Sequence, residues 1–175
     1  HYPTYQVNWD TVRSAITPKT RMIVVNTPQN PCGTTFSKED MLKLQEITKG
    51  TNIIVLSDEV YEHMVYDGES HQSVCLFPEL KKRSLITASF GKTFHATGWK
   101  MGYCCGPSEL MKEFIKVHQF NVYCVNHPVQ KALATYIKST DNYHELPAFF
   151  QRKRDLFLDA ISESRFSFTP SKATY

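Results

Sequence analysis

Apolar and polar positions follow two rhythms along the chain: short uninterrupted apolar runs, and longer stretches in which apolar residues recur every three or four positions. Alternation of these two patterns is what β-α units feeding a largely parallel sheet produce, so an α/β fold is expected. Asn8, Trp9 and Asp10 can start a short helix running to about Ile16, with Trp9, Val12 and Ile16 on one side. Met22-Ile23-Val24-Val25-Asn26 is apolar and rich in β-branched residues, the mark of a strand buried on both faces, and Pro28, Pro31 and Gly33 end it in a loop. Ser37 with Asp40 offers an imperfect capping box before a helix carrying Met41, Leu44 and Ile47, with Gly50 as its stop. Further strands are expected over about 52–57 and 84–89, and a more ambiguous one over about 101–106 because it contains two glycines. Beyond Pro107 the rhythm is helical over about 108–120, 128–138 and 142–162, and these last helices are expected to cover the sheet and reach away from it.

Composition narrows the class. The chain has 175 residues and 41% hydrophobic content, enough for one compact domain with a sizeable core and too little for two full ones. The net charge of +3 is scattered rather than gathered into a stripe, so nothing asks for a nucleic acid. No apolar run approaches the roughly 18 residues that span a bilayer, and the opening His1-Tyr2-Pro3-Thr4-Tyr5 lacks a leader pattern, so the expectation is a soluble, cytoplasmic protein. Five cysteines without a CxxC pair or zinc-ligand spacing read as reduced thiols, and no metal site is expected. The chain has no initiator Met and stops at a turn, so it reads as a fragment.

In open α/β sheets ligands bind beyond the carboxyl ends of the strands. Three such ends carry polar groups: Asn26-Thr27-Pro28-Gln29-Asn30-Pro31-Cys32-Gly33, Ser57-Asp58-Glu59-Val60-Tyr61 and Ser89-Phe90-Gly91-Lys92-Thr93. Neighbouring parallel strands would bring an amide, a carboxylate, a phenol, a hydroxyl and an amine to one edge, a set that suits a ring cofactor with a phosphate better than a metal. Asp58 either receives a cationic partner or caps the next segment. Lys92 is either solvated surface charge or a desolvated amine whose lowered pKa frees it for imine chemistry. Gly91-Lys92-Thr93 is not a phosphate loop, because the first glycine of that motif would fall at Ile86, and no strand is followed by GxGxxG.

Taken together, Asn30-Pro31-Cys32-Gly33, Ser57-Asp58-Glu59-Val60-Tyr61 and Ser89-Phe90-Gly91-Lys92-Thr93-Phe94, continuing to Thr97-Gly98-Trp99-Lys100-Met101-Gly102-Tyr103, resemble the pyridoxal-phosphate aminotransferases of the aspartate aminotransferase superfamily, fold type I, class I/II. The resemblance covers nearly the whole chain and implies a three-layer α/β/α sandwich with a mostly parallel sheet. It implies pyridoxal 5'-phosphate as cofactor, with Lys92 as the residue that forms the imine and shuttles the proton, and Asp58 as the partner of the ring nitrogen. Asn30 and Tyr61 would hydrogen-bond the ring oxygen and Ser89 would hold the phosphate. Lys100 stands where many relatives have an Arg, giving a point charge instead of a bidentate fork. Cys32 reads as a small packed residue and His95 as structural or solvated.

Phe94-His95-Ala96-Thr97-Gly98-Trp99-Lys100-Met101-Gly102-Tyr103, with Val117-His118-Gln119 and Asn126-His127-Pro128-Val129-Gln130, looks like the methionine and kynurenine/glutamine aminotransferase subgroup. That implies amino acid and 2-oxo acid substrates, the donor being methionine, glutamine or an aromatic amino acid, and a homodimer. Residues 1–141 would be part of the large cofactor-binding domain and 142–175 a helix leading toward a small C-terminal domain. The family's glycine-rich phosphate turn and its carboxylate-binding Arg are not identifiable, so the fragment by itself is expected to be inactive. Two alternatives remain open: a cysteine-conjugate carbon-sulfur β-lyase, and a non-catalytic sensor domain of a transcription regulator.

Overall fold

The computed structural model describes residues 4–175; His1, Tyr2 and Pro3, on which the reading of the chain's start partly rests, lie outside the described residues. Helix α1, Trp9–Ala15, begins where its cap is: the Asn8 side chain accepts the Thr11 N–H at 3.0 Å. Helix α2, Lys38–Thr48, begins at a complete capping box, with Ser37 Oγ accepting the Asp40 N–H at 3.1 Å and Asp40 Oδ2 accepting the Ser37 N–H at 2.9 Å. The shorter acid closes the box, and its other oxygen accepts the Trp9 Nε1–H at 2.7 Å, tying α1 to α2.

Four strands form one sheet in the order β1 (Met22–Asn26), β2 (Ile54–Asp58), β3 (Ser84–Ser89) and β4 (Gly102–Cys105). The first three are parallel and β4 runs antiparallel to β3. One core joins Trp9, Met41 and Leu44 of α1 and α2 to Val55 and Ile86 of the sheet, with Val74 and Leu80 closing it from the segment before β3. A short helix, α3 (Pro78–Lys81), lies in that segment. The glycines that blur β4 in the sequence have a steric reason. A Cβ at Gly102 would stand 2.6 Å from the Ala88 carbonyl oxygen, and one at Gly106 would stand 2.7 Å from that of Ser84.

The mostly parallel α/β sheet agrees with the sequence, and several details differ from it. Strand β1 is not buried on both faces: Val24 is 64% exposed, because β1 is an edge strand and α1 and α2 cover only one side. Strand β2 extends to Asp58, which pairs with Asn26 on one side and Thr87 on the other, so the acid is the last residue of the strand rather than the first after it. Helices α5 (Ser108–Asn121), α6 (His127–Ser139) and α7 (Leu146–Ala160) do not bury a broad face among the described residues; α5 buries no residue, α6 only Leu133 and α7 only Leu146. The expected helix from 142 is divided, with a 3-10 turn over Asn142–Glu145 and α7 starting at Leu146, where Pro147 fits the first turn because its missing N–H is not needed there.

The last residues fold back. Val65 and Ala173 form an antiparallel bridge, flanked by Tyr66 N–H to the Lys172 carbonyl and Thr174 N–H to the Met64 carbonyl, both at 2.9 Å. Lys172 N–H also donates to the Gly33 carbonyl at 2.7 Å; Gly33 has φ +64°, and a Cβ there would overlap Ser171. Arg154 of α7 clamps this arrangement, with its two terminal nitrogens on Asp67 at 2.7 and 2.8 Å and Nη1 donating to the Ser171 carbonyl at 2.7 Å. Among the described residues no helix is long and apolar enough to cross a membrane.

Candidate active site

Parallel pairing of β1, β2 and β3 sets their carboxyl ends on one edge of the sheet. Asn26, Asp58 and Thr87 are in register across the three strands. The Asp58 carbonyl accepts from Thr27 N–H and from Asn26 Nδ2, each at 3.1 Å, and Glu59 N–H donates to the Thr87 carbonyl at 2.9 Å. The backbone of Asp58 is therefore fixed on both sides. Its carboxylate is half-buried; Oδ1 accepts the Val60 N–H at 3.2 Å, and no ion pair to the group exists among the described residues. The capping role is thus seen on Oδ1.

Tyr61 is buried, and its hydroxyl accepts from Asn30 Nδ2 at 3.1 Å. Lys92 lies in the four-residue helix α4 (Phe90–Thr93), directly after β3. Its Nζ stands 5.9 Å from the centre of the Tyr61 ring and donates to Tyr175 Oη at 2.9 Å. The rings of Tyr61 and Tyr175 meet edge to face at 5.6 Å. The structure therefore brings Asn30, Tyr61 and Lys92 into one cluster, beside the strand end that holds Asp58.

Ser89 and Lys100 are placed less directly. Ser89 caps α4: its Oγ accepts the Gly91 N–H at 3.0 Å and donates to the Met101 carbonyl at 3.2 Å. Its hydroxyl is engaged within the protein, so it would have to exchange a bond to hold a phosphate. Lys100 is exposed, in a left-handed conformation with φ +54°, one residue before Met101, whose carbonyl also accepts the Phe90 N–H. His95 is exposed too, as a solvated residue would be.

The electrostatics of Lys92 run opposite to a desolvated amine. The hydrogen bond to Tyr175 holds its pKa above the ordinary lysine value, outweighing desolvation, with help from Tyr61. Reciprocally, the Tyr175 phenol is pulled down, chiefly by that same bond. Tyr61 is pushed up by burial and by Tyr175. The cluster is a charged amine between two phenols, and the amine must release a proton before it can act as a nucleophile.

Tyr175 is the contact that motif reasoning misses. It is 83 positions from Lys92 and reaches it only because the 171–175 segment is strapped to Gly33, Met64 and Tyr66. A second missed feature is Glu59, buried immediately after Asp58 and paired with His71 at 2.8 Å. An acid inside the second motif was its only signal. A cavity of about 540 Å³ between Cys32, Thr35, Phe168 and Lys172 lies apart from this cluster, whereas a smaller one of about 170 Å³ is lined by Ser89, Phe90, Tyr103 and Tyr143 beside it.

The donor set fits an aromatic ring with a cationic nitrogen and a carbonyl carbon: a half-buried carboxylate without a cation, an amide and phenol pair, and an amine, all at one edge. The family model for aminotransferases of class I and II matches residues 1–175. The chain is 40% identical over 174 residues to the methionine aminotransferase of Escherichia coli, covering 99% of this chain and 45% of that protein. It is 35% identical over 176 residues to the kynurenine–oxoglutarate transaminase of Dictyostelium discoideum, covering 98% of this chain and 40% of the other. A crystal structure of YbdL from Escherichia coli, which identified a methionine aminotransferase function, superposes on all of this chain and 47% of its own with a TM-score of 0.97 and 39% identity. The N-succinyldiaminopimelate aminotransferase of Mycobacterium tuberculosis superposes on 97% of this chain and 44% of its own with a TM-score of 0.91 at 33% identity. The chain thus spans less than half the length of these relatives.

Proposed function

Because the chain belongs to the class I and II aminotransferases, we propose that it is the portion of a pyridoxal-phosphate enzyme that transfers an amino group from an amino acid to a 2-oxo acid. The observation that carries this reading is the convergence of Asp58, Tyr61, Asn30 and Lys92 on the carboxyl edge of three parallel strands. Methionine, glutamine or an aromatic amino acid is the donor class, in keeping with relatives named for methionine and kynurenine. The relatives named here are aminotransferases, which favours neither a β-lyase nor a sensor domain.

When bound, the cofactor supplies an electron sink for the charge left on the substrate α-carbon after proton loss. The residues do the rest. Asp58 would hold the protonated ring nitrogen through its carboxylate and keep that charge in place. The Asn30 amide orients the Tyr61 hydroxyl toward the ring oxygen. Lys92 would hold the cofactor through Nζ, and as a free amine it would take the proton from the substrate α-carbon, with the Tyr175 hydroxyl, which accepts from Nζ, positioned to hold the resulting ammonium. Ser89 and Lys100 stand near the start of α4 as phosphate ligands, with Lys100 contributing charge without a fork. The same reading takes residues 1–141 as part of the cofactor domain, 142–175 as the lead into a small domain, and the whole enzyme as a cytoplasmic homodimer.

The test is the visible absorbance of the Lys92-linked cofactor in the protein that carries this chain. Lys92→Ala is expected to abolish that band and amino-group transfer together. Retention of the band would overturn the role given to Lys92.

A further inference from the structure

The residue after Asp58 is a buried acid with no part in the reaction described above. Glu59 has a side chain only 1% exposed, and both of its oxygens are engaged. Oε2 meets His71 Nε2 at 2.8 Å; Oε1 accepts from Ser57 Oγ at 2.8 Å and from the Val74 N–H at 3.1 Å. These partners come from two places, the strand itself and the 71–74 segment that runs under it. Side chains alternate along a strand, so Ser57 and Glu59 share one face of the β2 terminus and Asp58 takes the other. With the carboxylate ionised, His71 Nε2 carries the proton between them, and among the described residues His71 Nδ1 is buried without a partner, leaving Glu59 as the ring's one polar anchor there.

Burying a carboxylate is a poor way to gain stability, since apolar groups of similar volume usually do as well. The clamp is better understood by what it orients. Asp58 sits at the last register position of β2, where its carboxylate has a single hydrogen bond among the described residues, from Val60. Rotation of the strand end would swing that carboxylate off the Lys92 edge. We propose that the Ser57–Glu59–His71 clamp is a positioning device that locks the far face of the β2 terminus and so holds the Asp58 carboxylate toward the cofactor. The Glu59 carboxyl lies below the ordinary range: burial pushes it up, but the hydrogen bond and electrostatic pull of His71, with bonds from Ser73 and Ser57, outweigh it and favour the carboxylate. The inference rests on the proposed role of Asp58 at the cofactor ring nitrogen.

The experiment is a double-mutant cycle in the whole protein, reading cofactor affinity and the wavelength of the Lys92-linked band. Glu59→Ala is expected to weaken cofactor binding about tenfold, as loss of a group that orients a ligand typically does, and to shift the band in the direction given by Asp58→Asn. Glu59→Gln keeps an acceptor for Ser57 and Val74 and should restore most of both. If Glu59 acts through Asp58, adding Glu59→Ala to Asp58→Asn changes neither readout further. Additive losses in the double variant, or a folded Glu59→Ala with unchanged affinity and band, would overturn the inference. Should Glu59→Ala not fold, the same cycle with His71→Leu decides by the same criterion. Loss of the proposed function is distinguished separately, since there Lys92→Ala would keep the band whatever Glu59 does.

Discussion

The two halves of the chain use apolar residues differently. From Trp9 to Ile86 they meet one another: Met41, Leu44, Val55, Val74 and Leu80 are completely enclosed between α1, α2 and the sheet. From α5 onward the helices also carry large apolar side chains but leave most of them open, with Phe120 89% and Leu156 72% exposed. The helical rhythm of the sequence is equally clear in both halves. The difference teaches that periodicity specifies a helix and its apolar stripe, while burial depends on whether a second surface is present to meet it. The candidate site belongs to the first kind of structure in its strand ends and to the second in Tyr175, which is delivered by a strap from the far end of the chain.

Substitutions can break that contrast, beginning with the enclosed half. Leu44→Ala removes a side chain with no exposed surface and should cost about 2–5 kcal/mol, read as a lowered urea midpoint. Next comes the clamp that joins the halves. Arg154→Ala frees Asp67 and the Ser171 carbonyl, and because Asp67 is half-exposed the expected cost is about 1 kcal/mol, with faster hydrogen exchange at Tyr66 and Thr174. Arg154 lowers the Asp67 pKa, chiefly through its hydrogen bonds, so the pair's contribution is fully present above the unfolded carboxylate value near 4. It is lost as pH falls through the lower folded value. The gap between wild type and Arg154→Ala should therefore close in acid and persist at neutral pH; a gap that widens in acid would refute the assignment. Smallest of all, Leu156→Ala on the open face of α7 should change stability by less than about 0.5 kcal/mol, read from the urea midpoint. A loss as large as that at Leu44 would mean that Leu156 is enclosed in the whole protein.

Much of the architecture was legible. Strands at Met22–Asn26 and Ser84–Ser89 and the Ser37 cap follow from runs and spacings that act over a few residues. Asp58, Tyr61, Asn30 and Lys92 were legible as candidates because each follows an apolar run at a strand end. What local pattern leaves open is the environment of a group. A lysine behind a buried strand can be a solvated charge or a desolvated amine, and the Tyr175 bond, which raises its pKa, excludes the second. Likewise, β1 read as doubly buried because a continuous apolar run does not reveal whether a strand lies at the centre or the edge of a sheet.

The sequence by itself determined the α/β order, the helix caps and the residue types that can do imine chemistry, since these depend on backbone propensity and on neighbours within a turn or two. Only the tertiary structure decided that β4 turns antiparallel, that Tyr175 reaches Lys92, and that Glu59 and His71 close beneath Asp58. Those contacts join segments 12 to 83 positions apart, and nothing in the local pattern ranks one distant partner above another. The energy that selects them comes from burial and hydrogen bonding that exist only once the strands have paired.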